Sequence, residues 1–147
     1  MDVLFICKGN YGRSQMAEAI FNSLSCGRAV ARSAGADSAV AGRGRLREEA
    51  PMVVKCMGDI GLDVSDNVSK IITREMFDGA DLVVSMVEDG MLPGYAQNSG
   101  KVVFWEVEDP HYLDERGYAR IRDQIYGNVS KLVEGLKGSD ARRSRER

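Results

Sequence analysis

The chain has 147 residues, 44% of them hydrophobic and 29% charged, with a formal net charge of -2. That is length for one domain with a real core, and the balance of an ordinary globular protein. It excludes a global basic field for nucleic acid or an anionic membrane, and no apolar run approaches the roughly 20 residues that span a bilayer.

The start, Met1 to Ile6, lacks the basic residues and long apolar stretch of a secretory signal, so a cytoplasmic location is expected. Val3-Leu4-Phe5-Ile6 is a short continuous apolar run, the pattern of a strand buried on both faces. Cys7-Lys8-Gly9-Asn10-Tyr11-Gly12-Arg13 follows as a glycine-rich loop, and Ser14 stands where a helix N-cap is expected. Met16, Ala17, Ile20, Phe21 and Leu24 then share one helical face. Val30 to Ser33 reads as a second strand ending at Ala34-Gly35, and Ala36 to Glu49, with Arg43, Arg45 and Arg47, as a mobile surface loop. Pro51 opens a helix through Met57, and Thr73 caps a short helix to Phe77. Asp81 to Met86 and Val102 to Trp105 read as two further strands. Ile121, Ile125, Val129, Leu132 and Leu136 form a long helical stripe, and 138–147 is expected to be a disordered basic tail after a domain at 1–137.

Strands alternating with helices predict a parallel sheet covered on both faces: an α/β, doubly wound, three-layer domain with four strands. In such sheets ligands bind where loops leave the carboxyl ends of strands, which is the place of the Cys7 loop. Three cysteines far apart, Cys7, Cys26 and Cys56, and a single histidine, His111, argue against both a zinc site and a disulfide framework. No metal or cofactor is expected.

A phosphate group needs many donors converging from one side. A tight loop of backbone N–H groups running into a helix N-terminus supplies them. Gly9 and Gly12 are expected to provide positive φ angles and close approach, and Asn10 tolerates left-handed geometry. Arg13 offers a planar fork for two phosphoryl oxygens. A thiol at the floor of such a cradle is favoured in its ionised form, Ser14 can donate to it, and sulfur then attacks phosphorus. An acid must protonate the leaving oxygen, and Asp109-Pro110 after the last strand is the candidate. From the residues alone the plainer readings also stand: cysteine after a strand is common packing, and Asp-Pro is a common turn.

Together these elements resemble the low-molecular-weight protein tyrosine phosphatase family. The likeness runs to about Gly138. Its strongest part is Val3 to Asn10 continuing through Arg13-Ser14-Gln15-Met16-Ala17-Glu18-Ala19: a strand, a cysteine, five residues, then arginine and serine. Ser33-Ala34-Gly35, Gly61 to Ser65, Asp81 to Met86 and Asp109-Pro110 fall in family order. The resemblance implies Cys7 as nucleophile, Arg13 as phosphate clamp and Asp109 as general acid and base. Lys8, Gly9, Asn10, Tyr11, Gly12, Ser14, His111 and Tyr112 would then border the substrate, with Asn10 and Ser14 organising the loop. It also implies a phosphotyrosine protein or small aryl phosphate as substrate, inorganic phosphate as product, and a monomer.

The chain departs from the family's usual wording in four places. Gly12 stands where a second, protective cysteine is common, so Cys7 is expected to overoxidise more readily. Tyr11 replaces a smaller residue, and Asn67 replaces a histidine that braces the loop. His111-Tyr112 keeps one aromatic of a pair that lines the substrate slot. A rival is close, because Arg13 to Glu18 is also the wording of thioredoxin-coupled arsenate reductases of the same fold. Those need two further cysteines, generally in the segment that follows the Asp81 to Met86 strand here. Met86 to Met91 holds none, so the phosphatase reading is preferred, with thiol-dependent arsenate reduction and an inactive phosphate-binding module as alternatives.

Overall fold

The unbroken apolar run at the start forms β1, Asp2–Cys7, from which the chain turns directly into α1, Arg13–Ser25. The computed structural model describes the backbone of residues 1–146 and the side chains of residues 1–138. After α1 come β2 (Val30–Gly35), α2 (Leu46–Glu49), α3 (Pro51–Gly58), α4 (Arg74–Gly79), β3 (Leu82–Ser85), β4 (Val102–Phe104) and α5 (Glu115–Glu146). The strands lie in the order β2-β1-β3-β4 and every pairing is parallel. Parallel neighbours require crossover connections, and the helices supply them on both faces.

The alternation within β1 divides the core. Val3 and Phe5 point to one face and pack with Met16, Ile20, Phe21, Met57, Ile121 and Ile125 from α1, α3 and α5. Leu4 and Ile6 point to the other and pack with Phe77 of α4, Val83 and Leu92. This is the three-layer α/β arrangement expected. Trp105 follows β4 and packs its ring on Phe5, with centroids 5.7 Å apart.

Local expectations fared unevenly. Thr73 caps α4 as expected, its Oγ1 accepting from the Met76 N–H. Ser14 does not cap α1. The helix starts two residues earlier, with Gly12 in the cap position and no side-chain bond there. The stretch read as a loop, 36–49, carries α2 and buries Leu46, because Arg45 bridges to Val68 and the Leu46 N–H bonds the Asn67 carbonyl. The backbone of α5 runs through Glu146. The basic tail expected at 138–147 falls almost entirely on side chains outside the described residues. Among the described residues no helix is long and apolar enough to cross a membrane.

Candidate active site

β1 delivers Cys7 to the carboxyl edge of the sheet, and the loop from Lys8 to Gly12 closes over it before α1 begins. The loop is held down by its neighbours. The Cys7 and Lys8 carbonyls accept from the Ala36 and Asp37 N–H groups just after β2. Ser69 Oγ donates to the Gly9 carbonyl at 2.7 Å and accepts from the Gly42 N–H at 2.8 Å. Gly35 must be glycine here. A Cβ on it would lie 2.7 Å from the Ala41 Cβ and 2.9 Å from the Lys8 carbonyl oxygen, too close for any side chain.

Only one loop residue takes a positive φ, and it is Asn10 at 60°. Neither Gly9 nor Gly12 does, Gly12 having φ -123°, so the reason offered for those glycines from the sequence is corrected. Their neighbours are a better guide. A Cβ on Gly9 would press the Tyr11 ring at 3.1 Å, and one on Gly12 would touch Pro110 and Val53 at 3.9 Å. The 3.9 Å separations at Gly12 are ordinary contact, so space does not require glycine there.

The sulfur of Cys7 faces the loop's polar interior. It accepts the Asn10 N–H at 3.3 Å and lies 2.9 Å from Ser14 Oγ. Asn10 is fully buried, at 0% exposure, and its Nδ2 donates to Ser14 Oγ at 2.7 Å. Asn10 Oδ1 accepts from the Lys70 backbone N–H at 2.9 Å, so the amide is oriented by a main-chain donor. With Ser14 Oγ receiving Asn10, its own proton is directed to the sulfur.

Arg13 is buried and its Nη1 is fully used, donating to the Met86 carbonyl at 2.9 Å and the Val107 carbonyl at 3.0 Å. Nε and Nη2 are left to hold an anion. Nη2 stands 3.7 Å from Asp109 Oδ2. Asp109 is half exposed, and its Oδ1 accepts the His111 N–H at 3.1 Å, so the carboxylate opens a 3₁₀ turn over Pro110–Tyr112. Direct contacts thus join Cys7 to Asn10 and Ser14, and separately join Arg13 to Asp109.

The other candidates lie farther from this centre. Tyr11 turns toward the 36–45 segment, donating to the Val40 carbonyl at 3.1 Å and accepting the Arg43 N–H at 3.0 Å. Lys8 is exposed. Tyr112 is 93% exposed and its ring packs edge-on against His111, so neither ring closes over the cradle. Gln15, Ser69 and the Met86 and Val107 carbonyls were missed in the sequence. A carbonyl carries no residue-type signal, and Gln15 reads there only as one more helix residue.

The other two thiols stand apart from Cys7. Cys26 is exposed at the far end of α1, about 20 Å from Arg13 at ~1.5 Å rise per residue. Cys56 is buried between α3 and α5, and burial pushes its thiol above the ordinary range. The segment after β3 has no cysteine.

Comparison with known proteins places this geometry. Arsenate reductase 1 of Bacillus cereus is 31% identical over 134 residues, covering 90% of this chain and 93% of that relative. The low molecular weight protein tyrosine phosphatase of T. tengcongensis superposes with a TM-score of 0.77 at 31% identity, covering 92% of this chain and 99% of that one. The YwlE arginine phosphatase, solved as a C7S mutant with a phosphorylated active-site serine, gives 0.78 at 26% identity, covering 93% and 96%. The family model for low molecular weight phosphotyrosine protein phosphatase matches residues 2–142. With that match over nearly its whole length, and with the cradle at the end of its first strand, the chain belongs to the low molecular weight phosphotyrosine protein phosphatase family.

Proposed function

We propose that this protein is a phosphatase that hydrolyses aryl phosphate monoesters, phosphotyrosine among them, through a cysteinyl-phosphate on Cys7. One observation carries the reading: the Cys7 sulfur at the start of the loop accepts the Asn10 N–H and meets Ser14 Oγ, while Arg13 at the loop's end is clamped by two carbonyls and meets Asp109 at 3.7 Å. Nucleophile, anion clamp and proton donor are then within one mouth.

In the first step the Cys7 thiolate attacks phosphorus. The bond from phosphorus to the ester oxygen breaks, and Asp109 gives that oxygen its proton, releasing the phenol. Nε and Nη2 of Arg13 and the loop N–H groups hold the equatorial oxygens as charge spreads over them. In the second step Asp109, now a carboxylate, takes a proton from water. The water oxygen displaces sulfur, releasing inorganic phosphate and regenerating the thiolate. The Ser14 hydroxyl steadies the departing sulfur.

Arsenate reduction is the second reading, favoured by the names of the curated relatives. It needs a thiol to take over the oxidised sulfur. Cys26 is too distant, Cys56 is buried with its thiol pushed upward by that burial, and neither supports an internal relay. An external thiol would have to serve.

The deciding assay is a panel on the purified protein. Hydrolysis of para-nitrophenyl phosphate and phosphotyrosine, undiminished by EDTA, is the expected result. Thiol-dependent arsenate reduction without ester hydrolysis would favour the reductase. Phosphate binding with neither activity would favour a regulatory module, and phosphoarginine outrunning phosphotyrosine would move the substrate class.

Peroxide gives a further expected result. With Gly12 beside the cradle and no thiol near Cys7, oxidation proceeds past the sulfenic acid, and activity does not return in dithiothreitol. Full recovery, with a Cys7 disulfide found by mass spectrometry, would contradict this.

A further inference from the structure

We propose that Gln15 is a positioning residue for the nucleophile, transmitting the placement of the 67–70 segment to the Cys7 sulfur through a relay of side-chain amides. The proposal rests on the cysteine-nucleophile reading and adds to it a residue outside the loop. Gln15 is fully buried, at 0% exposure, yet every polar group of its amide is used. Its Nε2 donates to Asn10 Oδ1 at 3.1 Å and to the Val68 carbonyl at 3.0 Å. Its Oε1 accepts from Asn67 Nδ2 at 3.2 Å.

Two amides in series are therefore each oriented by a main-chain group that cannot reverse its polarity. The Val68 carbonyl demands the NH₂ end of Gln15, and the Lys70 N–H demands the oxygen of Asn10. Turning either amide over would set donor against donor or acceptor against acceptor in a buried site, which costs a full unmade hydrogen bond. The direction then propagates. Asn10 Nδ2 faces Ser14 Oγ, and the Ser14 proton faces sulfur at 2.9 Å. The charged groups around the sulfur lie elsewhere: Lys8 on the loop, Arg13 at the start of α1 and Asp109 after β4. The relay thus acts on the nucleophile without adding charge to the mouth.

Glutamine suits the position because the task needs two donors and one acceptor at that reach. Leucine matches its bulk and supplies none of them. Glutamate supplies acceptors only, against an oxygen and a carbonyl that both require donors.

The test compares Gln15→Leu and Asn67→Ala with the unmodified protein. Alkylation by iodoacetamide is followed at the Cys7 peptide by mass spectrometry, because Cys26 is exposed. For Gln15→Leu, Cys7 alkylation and kcat are expected to fall together by about tenfold, the scale of one charge-assisted hydrogen bond. KM and vanadate affinity should stay within about twofold, since the loop N–H groups and Arg13 are untouched. Asn67→Ala should shift the same quantities by about threefold, and Asn67→His, which keeps an N–H donor, should restore them. Vanadate affinity falling in step with kcat would overturn the proposal, since the network would then only hold the loop's shape. Unchanged alkylation in folded variants would overturn it equally. Should Gln15→Leu fail to unfold cooperatively, the half-buried Asn67 pair decides alone. If the unmodified protein hydrolyses no ester, the phosphatase reading falls, while the alkylation rates still judge the relay.

Discussion

Cys7→Ser is expected to lower para-nitrophenyl phosphate turnover by roughly 10⁴-fold or more, the scale seen when a nucleophile is removed from a working catalytic set. The serine hydroxyl fits the same space, but a neutral hydroxyl is a far weaker nucleophile than sulfur. Binding should survive. The loop's backbone donors and Arg13, held by the Met86 and Val107 carbonyls, do not depend on the sulfur. Vanadate or phosphate affinity measured by calorimetry should therefore remain close to that of the unmodified protein. Turnover persisting within about tenfold would remove Cys7 from the chemical step, since the loss of a working nucleophile costs far more than that.

Asp109→Asn is expected to slow phosphotyrosine hydrolysis by about 10²- to 10⁴-fold, the usual contribution of a general acid. The loss should be smaller for para-nitrophenyl phosphate. Its leaving group is a weaker base than the tyrosine phenolate, whose conjugate acid has a pKa near ~10, and so needs less help from a proton. The asparagine keeps the 3₁₀ turn, since its side-chain oxygen can still accept the His111 N–H. The clamp on Arg13 is also preserved by its two carbonyls, so KM should change little. An equal loss on both substrates would mean that Asp109 serves Arg13 by charge and not the leaving oxygen by proton transfer.

These expectations differ in how they arise. Residue type and spacing single out Cys7, Arg13 and Asp109 as candidates, and the family resemblance is what implies their roles. The size of their effects depends on what holds them. Met86 O and Val107 O fasten Arg13 from residues 73 and 94 positions away in the chain. Gly35 matters because Ala41 and the Lys8 carbonyl crowd it, not because β2 needs a turn there.

Local information was enough wherever one segment's pattern answers one question. The apolar run of β1, the helical face of α1, the Thr73 cap and the alternation of strand and helix each depend on neighbours within a turn or two. Together they determined the parallel three-layer fold and brought Cys7 and Asp109 to one edge of the sheet. The tertiary structure alone decided the rest, because those matters are settled by which backbone groups meet across long separations. Asn10, not a glycine, takes the left-handed turn because the Lys70 N–H holds its amide. Ser14 leaves the helix cap for the sulfur because Asn10 claims its oxygen. Gln15 joins the site because Val68 and Asn67 pack above it. A main-chain carbonyl or N–H has the same chemistry at every residue, so no reading of side chains along the chain reveals which of them will be buried face to face.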